Sequence, residues 1–347
     1  MRLLVVTQAL DLDDPLLSAY HGWVEALAHE SESVEAVCLK EGRHDLPANV
    51  AVHSLGKESG RRSRLRYALS FLALCWKLRK RYDAAFVHMN QEYVLIAGPL
   101  WKLLGKGIYM WRNHYAGSVL TDIAASLCTS VFCTSRHSYT AKYRKTALMP
   151  VGVNLERFDP EGPEGRVPRS ILFFSRIAPS KHAELFVEAL GLLKARGLPF
   201  SASIVGSAPS EYEAYAQGLR AQAGDLGLAE DVRFLPGIRN EDAPSVFRSY
   251  ELYVNCSPSG MLDKVIFEAA ASGCLILSES DDLRKGGFED VTYEPGDAAS
   301  LAEHIERMLG YSPEEKTALH ARFASLANEN SLTGLAKELV AHMQPSR

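Results

Sequence analysis

No stretch of this sequence is apolar for long enough to cross a membrane. The longest nearly uninterrupted run, Tyr67 to Trp76, has ten residues, where a spanning helix needs about 20. No secretory leader is expected, because Met1-Arg2 runs directly into the strand-like segment Leu3 to Thr7 without an apolar core and cleavage site. The six cysteines, at positions 38, 75, 128, 133, 256 and 274, contain no C-x-x-C pair, and four lie inside apolar runs. That pattern suits reduced thiols in cytoplasm rather than a disulfide framework. Positive charge is not in excess: 38 Lys and Arg face 42 Asp and Glu, a formal charge of −4. Global attraction to nucleic acid or acidic lipid is therefore not expected, and any basic patch must be local.

Several cofactor and catalytic signatures are also missing. Neither G-x-G-x-x-G nor G-x-x-x-x-G-K-[ST] occurs, and Gly105-Lys106-Gly107 lacks the further Gly and the hydroxyl that a phosphate cradle requires. There is no H-E-x-x-H, no G-x-S-x-G and no zinc-like Cys/His spacing. Dinucleotide, P-loop, zinc and serine-hydrolase chemistry all lose their main support.

What is present is an alternation of short apolar runs with helix-period segments over 347 residues, enough for two hydrophobic cores. The composition, 47% apolar and 23% charged, is that of a folded chain. In the first half the expected strands are Leu3 to Thr7, Val34 to Leu39, Val50 to Leu55, Ala84 to Met89, Gly107 to Trp111, Ser130 to Thr134 and Thr146 to Met149. A breaker-rich segment, Asn154 to Arg169, reads as a linker. The rhythm restarts with Ser170 to Ser175, Ser201 to Val205, Val232 to Leu235, Leu252 to Cys256, Cys274 to Ser278 and Val291 to Tyr293. The expected fold is α/β: two Rossmann-like, doubly wound domains facing a cleft. Their expected bounds are 1–160 and 168–325, with 326–347 forming a C-terminal helix that packs back on the N-terminal domain. Pro313 to Met343 reads as helical with no strand after it.

Candidate chemistry is concentrated in the second half. The strand Ile171 to Ser175 ends at Arg176, and Lys181 follows five residues on, at the start of a helix over Ala183 to Lys194. An Arg fork, a Lys point charge and helix amides together suit a pyrophosphate; in isolation, such cations are more often solvated. Gly206 ends one strand, and Phe234-Leu235-Pro236-Gly237-Ile238 ends another, where glycine permits close backbone approach to a ligand. The segment Asn255-Cys256-Ser257-Pro258-Ser259-Gly260-Met261-Leu262-Asp263-Lys264 then leads into a helix carrying Glu268, which is placed to accept from a ribose diol.

In order and spacing these elements resemble the family-4-like retaining glycosyltransferases of GT-B architecture, whose second domain reads strand-G-R-x-x-x-x-K-G, V-G-x-G, F-x-G and P-S-x-x-E-G-F-G-x-x-x-x-E-A-x-A-x-G. Met149-Pro150-Val151-Gly152-Val153-Asn154 with Phe158 is similar to the family's N-G-V-D-x-x-x-F at the domain junction. The resemblance implies a metal-independent transferase with no cofactor, acting on a nucleotide-diphosphate sugar. It implies that Arg176 and Lys181 hold the diphosphate, Ile238 lies beside the base, Glu268 binds ribose and His114 touches the donor sugar. Gly206, Ser259, Gly260, Leu262, Asp263 and Lys264 complete the expected donor site. Two departures stand out: Gly260 occupies the place of the family's first glutamate, and Asp263-Lys264 occupies or adjoins its G-F-G loop. Asp263 then reads either as a sugar-hydroxyl acceptor or as a helix cap, and Lys264 as added positive charge.

For the first domain, Asp13 and Asp14 are the expected acceptor contacts. With Asp11 they could suggest a metal-binding cluster, but a solvated turn before Pro15 is the better reading. Residues 57–82 place basic ends around the apolar run, which suits peripheral contact with an anionic membrane at its cytoplasmic face. The competing reading takes Leu65, Leu69, Leu72 and Trp76 as a core stripe. The expected acceptor is a hydroxyl of a glycan or lipid-linked sugar; the alternative to an enzyme is a non-catalytic nucleotide-sugar-binding module.

Overall fold

Short apolar runs and period-3.6 helices resolve, in the computed structural model, into two wholly parallel sheets packed with helices. The structure describes residues 1–14, 17–60, 63–160, 165–259 and 262–344. The chain divides into two compact units, one formed by Met1–Gly152 with Leu332–Arg347, the other by Val153–Ser331.

In the first unit the strands are β1 (Arg2–Leu10), β2 (Ser33–Glu41), β3 (Val50–Ser54), β4 (Ala84–His88), β5 (Gly107–Trp111), β6 (Ser130–Cys133) and β7 (Thr146–Leu148), in the sheet order β3-β2-β1-β4-β5-β6-β7. Helix α1 (Ala19–His29) packs on one face. Helices α2 (Arg64–Leu78), α3 (Gln91–Leu103) and α4 (Val119–Leu127) cover the other. β1 runs three residues beyond Thr7, because Ala9 and Leu10 continue its pairing with β2 and are buried.

The second unit contains β8 (Val167–Phe174), α5 (Ala183–Ala195), β9 (Ser201–Val205), α6 (Glu213–Asp225), β10 (Val232–Leu235), α7 (Ala243–Ser249), β11 (Tyr250–Asn255), α8 (Lys264–Ala271), β12 (Leu275–Ser278), α9 (Asp281–Lys285), α10 (Ala298–Leu309) and α11 (Pro313–Glu329), with the sheet order β10-β9-β8-β11-β12. From β8 the chain winds outward to one side through β9 and β10, then returns to place β11 and β12 on the other. The order reverses between β8 and β11, and open parallel sheets offer their ligand crevice at such a reversal, outside the carboxyl ends of the strands.

Three sequence expectations need correcting. Val291 to Tyr293 is not a strand: a tight turn spans Glu289–Val291, and one bridge joins Thr292 to Ser278. Pro295 then removes a donor, and Gly296 turns the chain at φ +70°. Pro313 to Met343 is two helices, α11 and α12 (Leu332–Met343), broken at Asn330-Ser331. Helix α12 buries Leu335, Ala336, Leu339, Val340 and Met343 in the core shared with β1, β2 and α1. Gly152, at φ +82°, leaves no room for a Cβ, which would lie 2.5 Å from Leu335. Finally, α2 buries Phe71, Cys75 and Leu78, while Leu65, Leu69 and Trp76 are 68%, 58% and 49% exposed. The run is apolar around most of the helix, so its pattern alone does not select which stripe faces the sheet.

Candidate functional site

Lys181 ends a tight turn, Pro179–Lys181, that follows β8; His182, at φ +49°, turns the chain into α5. The Lys181 side chain is buried at the β8/β11 reversal, where its Nζ donates to Ser257 Oγ at 3.1 Å and to both carboxylate oxygens of Asp263 at 2.8 and 2.7 Å. Asp263 occupies the cap position of α8, yet its carboxylate accepts no bond from the helix amides. It accepts instead from Asn255 Nδ2 at 3.1 Å. Asn255 is held in turn: its Oδ1 accepts from the Ser278 hydroxyl at 3.2 Å and from the Ser257 amide at 3.3 Å. The helix-cap reading of Asp263 therefore gives way to an ion pair with a side chain 82 residues away.

Glu268 is buried on α8, and Lys264 Nζ lies 3.6 Å from its Oε1 one helical turn earlier. Burial raises the Glu268 carboxyl above its ordinary value, against the opposing pull of the Lys264 and Arg157 cations. Arg176 lies on the same carboxyl edge but is exposed, and no partner holds its guanidinium among the described residues. Gly206 is required by space: a Cβ there would lie 1.8 Å from the Ser175 carbonyl oxygen. It lines a cavity with Ile177, Ser207, Arg220 and Phe234, whereas Ile238 lines a different one with Val205, Pro236, Val246 and Tyr250. Ser259 Oγ accepts from the Asp281 amide at 2.8 Å, tying that loop to α9, and Leu262 is half-buried. Gly260 lies outside the described residues.

In the first unit His114 stands three residues beyond β5, in a loop lining a cavity with Met89, Arg112, Asn113, Gly117 and Ser118. Its Nδ1 lies 2.9 Å from the Ala116 amide nitrogen and 3.2 Å from the Ala116 carbonyl oxygen, which holds the ring against the loop. The loop is pinned from behind. Asn113 Oδ1 accepts from the Thr134 amide at 3.2 Å and the Ser138 hydroxyl at 2.8 Å, and the Tyr139 amide donates to the His114 carbonyl at 2.8 Å. Asp13 pairs with Arg43 at 2.7 Å and Asp14 with Lys40 at 3.4 Å, while Asp11 accepts from Lys40 at 3.0 Å. Among the described residues no three His, Cys, Asp or Glu side chains converge as metal ligands.

Sequence reasoning passed over Asn255, Ser257, Asn113 and Tyr139. Asn255 carried a signal, an amide within the otherwise apolar end of a strand, where a buried polar group must find partners. The others gave none, because their roles depend on segments distant in sequence.

Residues 168–311 match the family described as glycosyl transferases group 1. The match covers less than half of the chain and most of its second unit. The chain's curated relatives include the D-inositol 3-phosphate glycosyltransferase of Streptomyces coelicolor, 32% identical over 169 residues that cover 41% of this chain and 36% of the relative. Another is the GDP-mannose-dependent alpha-(1-6)-phosphatidylinositol monomannoside mannosyltransferase of Mycolicibacterium smegmatis, 27% identical over 49% of this chain and 47% of the relative. The chain thus spans between about a third and a half of these relatives' length. Among solved structures, Anabaena Alr3699/HepE in complex with UDP and glucose aligns with a TM-score of 0.74 at 17% identity, covering 98% of each chain. Sucrose-phosphate synthase from Thermosynechococcus elongatus aligns at 0.76 and 16%, again over 98% of each. The fold, two parallel-sheet α/β units of which the second contains the matched segment, is that of GT-B glycosyltransferases.

Proposed function

We propose that this chain transfers a sugar from a nucleotide-diphosphate donor to a hydroxyl of a glycan or lipid-linked acceptor, with retention at the anomeric carbon. The observation that carries the reading is Lys181, a cation held at the strand-order reversal of the unit that contains the matched segment, just before the N-terminus of α5. A departing diphosphate needs positive charge in place before the bond breaks. Lys181, Arg176 and the α5 amides supply it without a metal or cofactor. Glu268 accepts from the ribose, Ile238 borders the base, and His114 touches the donor sugar. Asp13 and Asp14 face the acceptor. The anomeric carbon–oxygen bond to the diphosphate breaks, the acceptor oxygen bonds on the same face, and the acceptor proton passes to the leaving phosphate oxygen.

Support for a uridine or guanosine base comes from the Anabaena protein's UDP complex and the mycobacterial relative's use of GDP-mannose. The test incubates the protein with uridine, guanosine and adenosine diphosphate sugars, and measures release of the nucleoside diphosphate and the rise in melting temperature. One donor class should stabilise and react, and Arg176→Ala and Lys181→Ala should each weaken both signals. Unchanged donor affinity in both variants overturns the reading. The partnering of Lys181 by Asp263 favours one rival, a nucleotide-sugar-binding module; donor-induced stabilisation with no diphosphate release would select it.

A further inference from the structure

Charge is unevenly distributed along this chain. Residues 60–148 carry fifteen Lys and Arg against three Asp and Glu, a formal +12, while the remainder holds 23 against 39, a formal −16. The same segment builds the α2–α4 layer of the first unit, whose outer surface is apolar where solvent should favour polar groups. Leu65, Leu69 and Trp76 on α2, and Val119, Leu120 and Ile123 on α4, are 45–71% exposed. The spacing of each set, i and i+4 with i+11 or i+1, gathers it on one side of its helix. Both helices lead out of parallel strands and pack with α3 on one face of the sheet, so their first turns lie toward the same edge.

Helix α2 contains no acidic residue, and the side chains of Arg64, Arg66, Lys77 and Lys80 have no acidic partner among the described residues. The Arg79 guanidinium lies 4.2 Å from the centroid of the Trp76 ring. Apolar residues flanked by unpaired cations form the pattern of a helix that lies in a membrane interface, its ring and aliphatic side chains among the acyl chains and its cations at the headgroups. A second copy of this face brings the same sign of charge, and nucleic acid offers nothing to exposed leucines. An anionic lipid surface satisfies both halves of the patch.

We propose that the outer face of α2 and α4 docks the first unit onto an anionic lipid bilayer. The proposal does not rest on the transferase reading, and its assay uses no sugar donor, so the two fail separately.

The full chain is floated with vesicles of phosphatidylcholine alone and of phosphatidylcholine with about 30 mol% phosphatidylglycerol. Binding is expected only to the anionic vesicles, and is lost in 0.5 M salt. Each basic residue near such a surface is worth about five-fold in partition, so Lys77→Glu/Lys80→Glu should bind at least roughly 25-fold more weakly. Leu69→Ser/Trp76→Ser should lose about ten-fold or more. These side chains are about half exposed or more, or charged and without an acidic partner among the described residues, so melting temperatures should stay within about 2 °C of wild type. Equal binding to neutral vesicles, no binding to either, retention by a single-stranded RNA instead, or a stable dimer that protects Trp76 from quenching would each overturn the proposal.

Discussion

Lys181 Nζ bonds both carboxylate oxygens of Asp263, at 2.8 and 2.7 Å, across the line where the second sheet reverses its strand order. The two side chains are 10% and 18% exposed, so neither is well solvated. Removing one partner of a buried pair costs about 3 kcal/mol or more, while replacing both by apolar groups restores much of the loss. Lys181→Met should therefore destabilise the second unit by about 3 kcal/mol, and Lys181→Met/Asp263→Leu should recover most of it. Urea titrations of the four members of this cycle give the coupling directly. Additive losses would mean the pair contributes no coupling.

Gly206 is fixed by the Ser175 carbonyl, 1.8 Å from where a Cβ would stand. Backbone cannot yield as a side-chain tip can. Gly206→Ala should force the carboxyl ends of β8 and β9 apart and cost about 2 kcal/mol or more. A thermal melt within 1 °C of wild type would show that the strand ends adjust freely.

Gly117 stands over the Tyr139 ring, whose nearest carbon would lie 2.1 Å from an added Cβ. The Tyr139 hydroxyl donates to Asp122, so the ring cannot swing aside without losing those bonds, of 3.0 and 3.2 Å. Gly117→Ala should displace the His114 loop and cost about 1–3 kcal/mol, and Gly117→Ala/Tyr139→Ala should cost less than the sum of the single changes. Denaturant midpoints of the three variants decide it.

Glu268 carries a pH signature. Burial raises its folded carboxyl above the ordinary 4.5, so between those two values the folded protein binds more protons than the unfolded one. The associated stability is fully present below pH 4.5 and is lost as pH rises through the elevated folded value. Glu268→Gln should remove this contribution to the slope while leaving the rest of the stability profile parallel to wild type. Stability measured from pH 4 to 8 in both proteins supplies the test, and identical slopes would refute it.

Most of the architecture was legible because each buried parallel strand is a short apolar run bounded by breakers, and ten of the thirteen expected strands and the two-unit division need no more than that. Of the other three, β1 runs three residues past Thr7, β8 begins three residues early, at Val167, inside the supposed linker, and the Val291 run ends in a turn. Two failures share a cause. The stripe of α2 that meets the sheet is selected by what the sheet presents, and Tyr67 to Trp76, apolar on most sides, contains no record of the choice. Likewise, Lys181 was identifiable by type and place, but Asp263 becomes its neighbour only because β11 returns to lie beside β8. That adjacency follows from winding order and cannot be seen in a linear motif.

The placement of α12 has a consequence for biosynthesis. Leu335, Leu339 and Met343 complete a core whose other walls, Leu3, Val5 and Trp23 among them, leave the ribosome first. The second unit is continuous in sequence and can close as soon as it emerges, whereas the first must wait, with part of its β1–α1 surface uncovered, until residues 153–331 have been made. The half translated earliest is the half finished last, and a chaperone acting on nascent chains would find its target there.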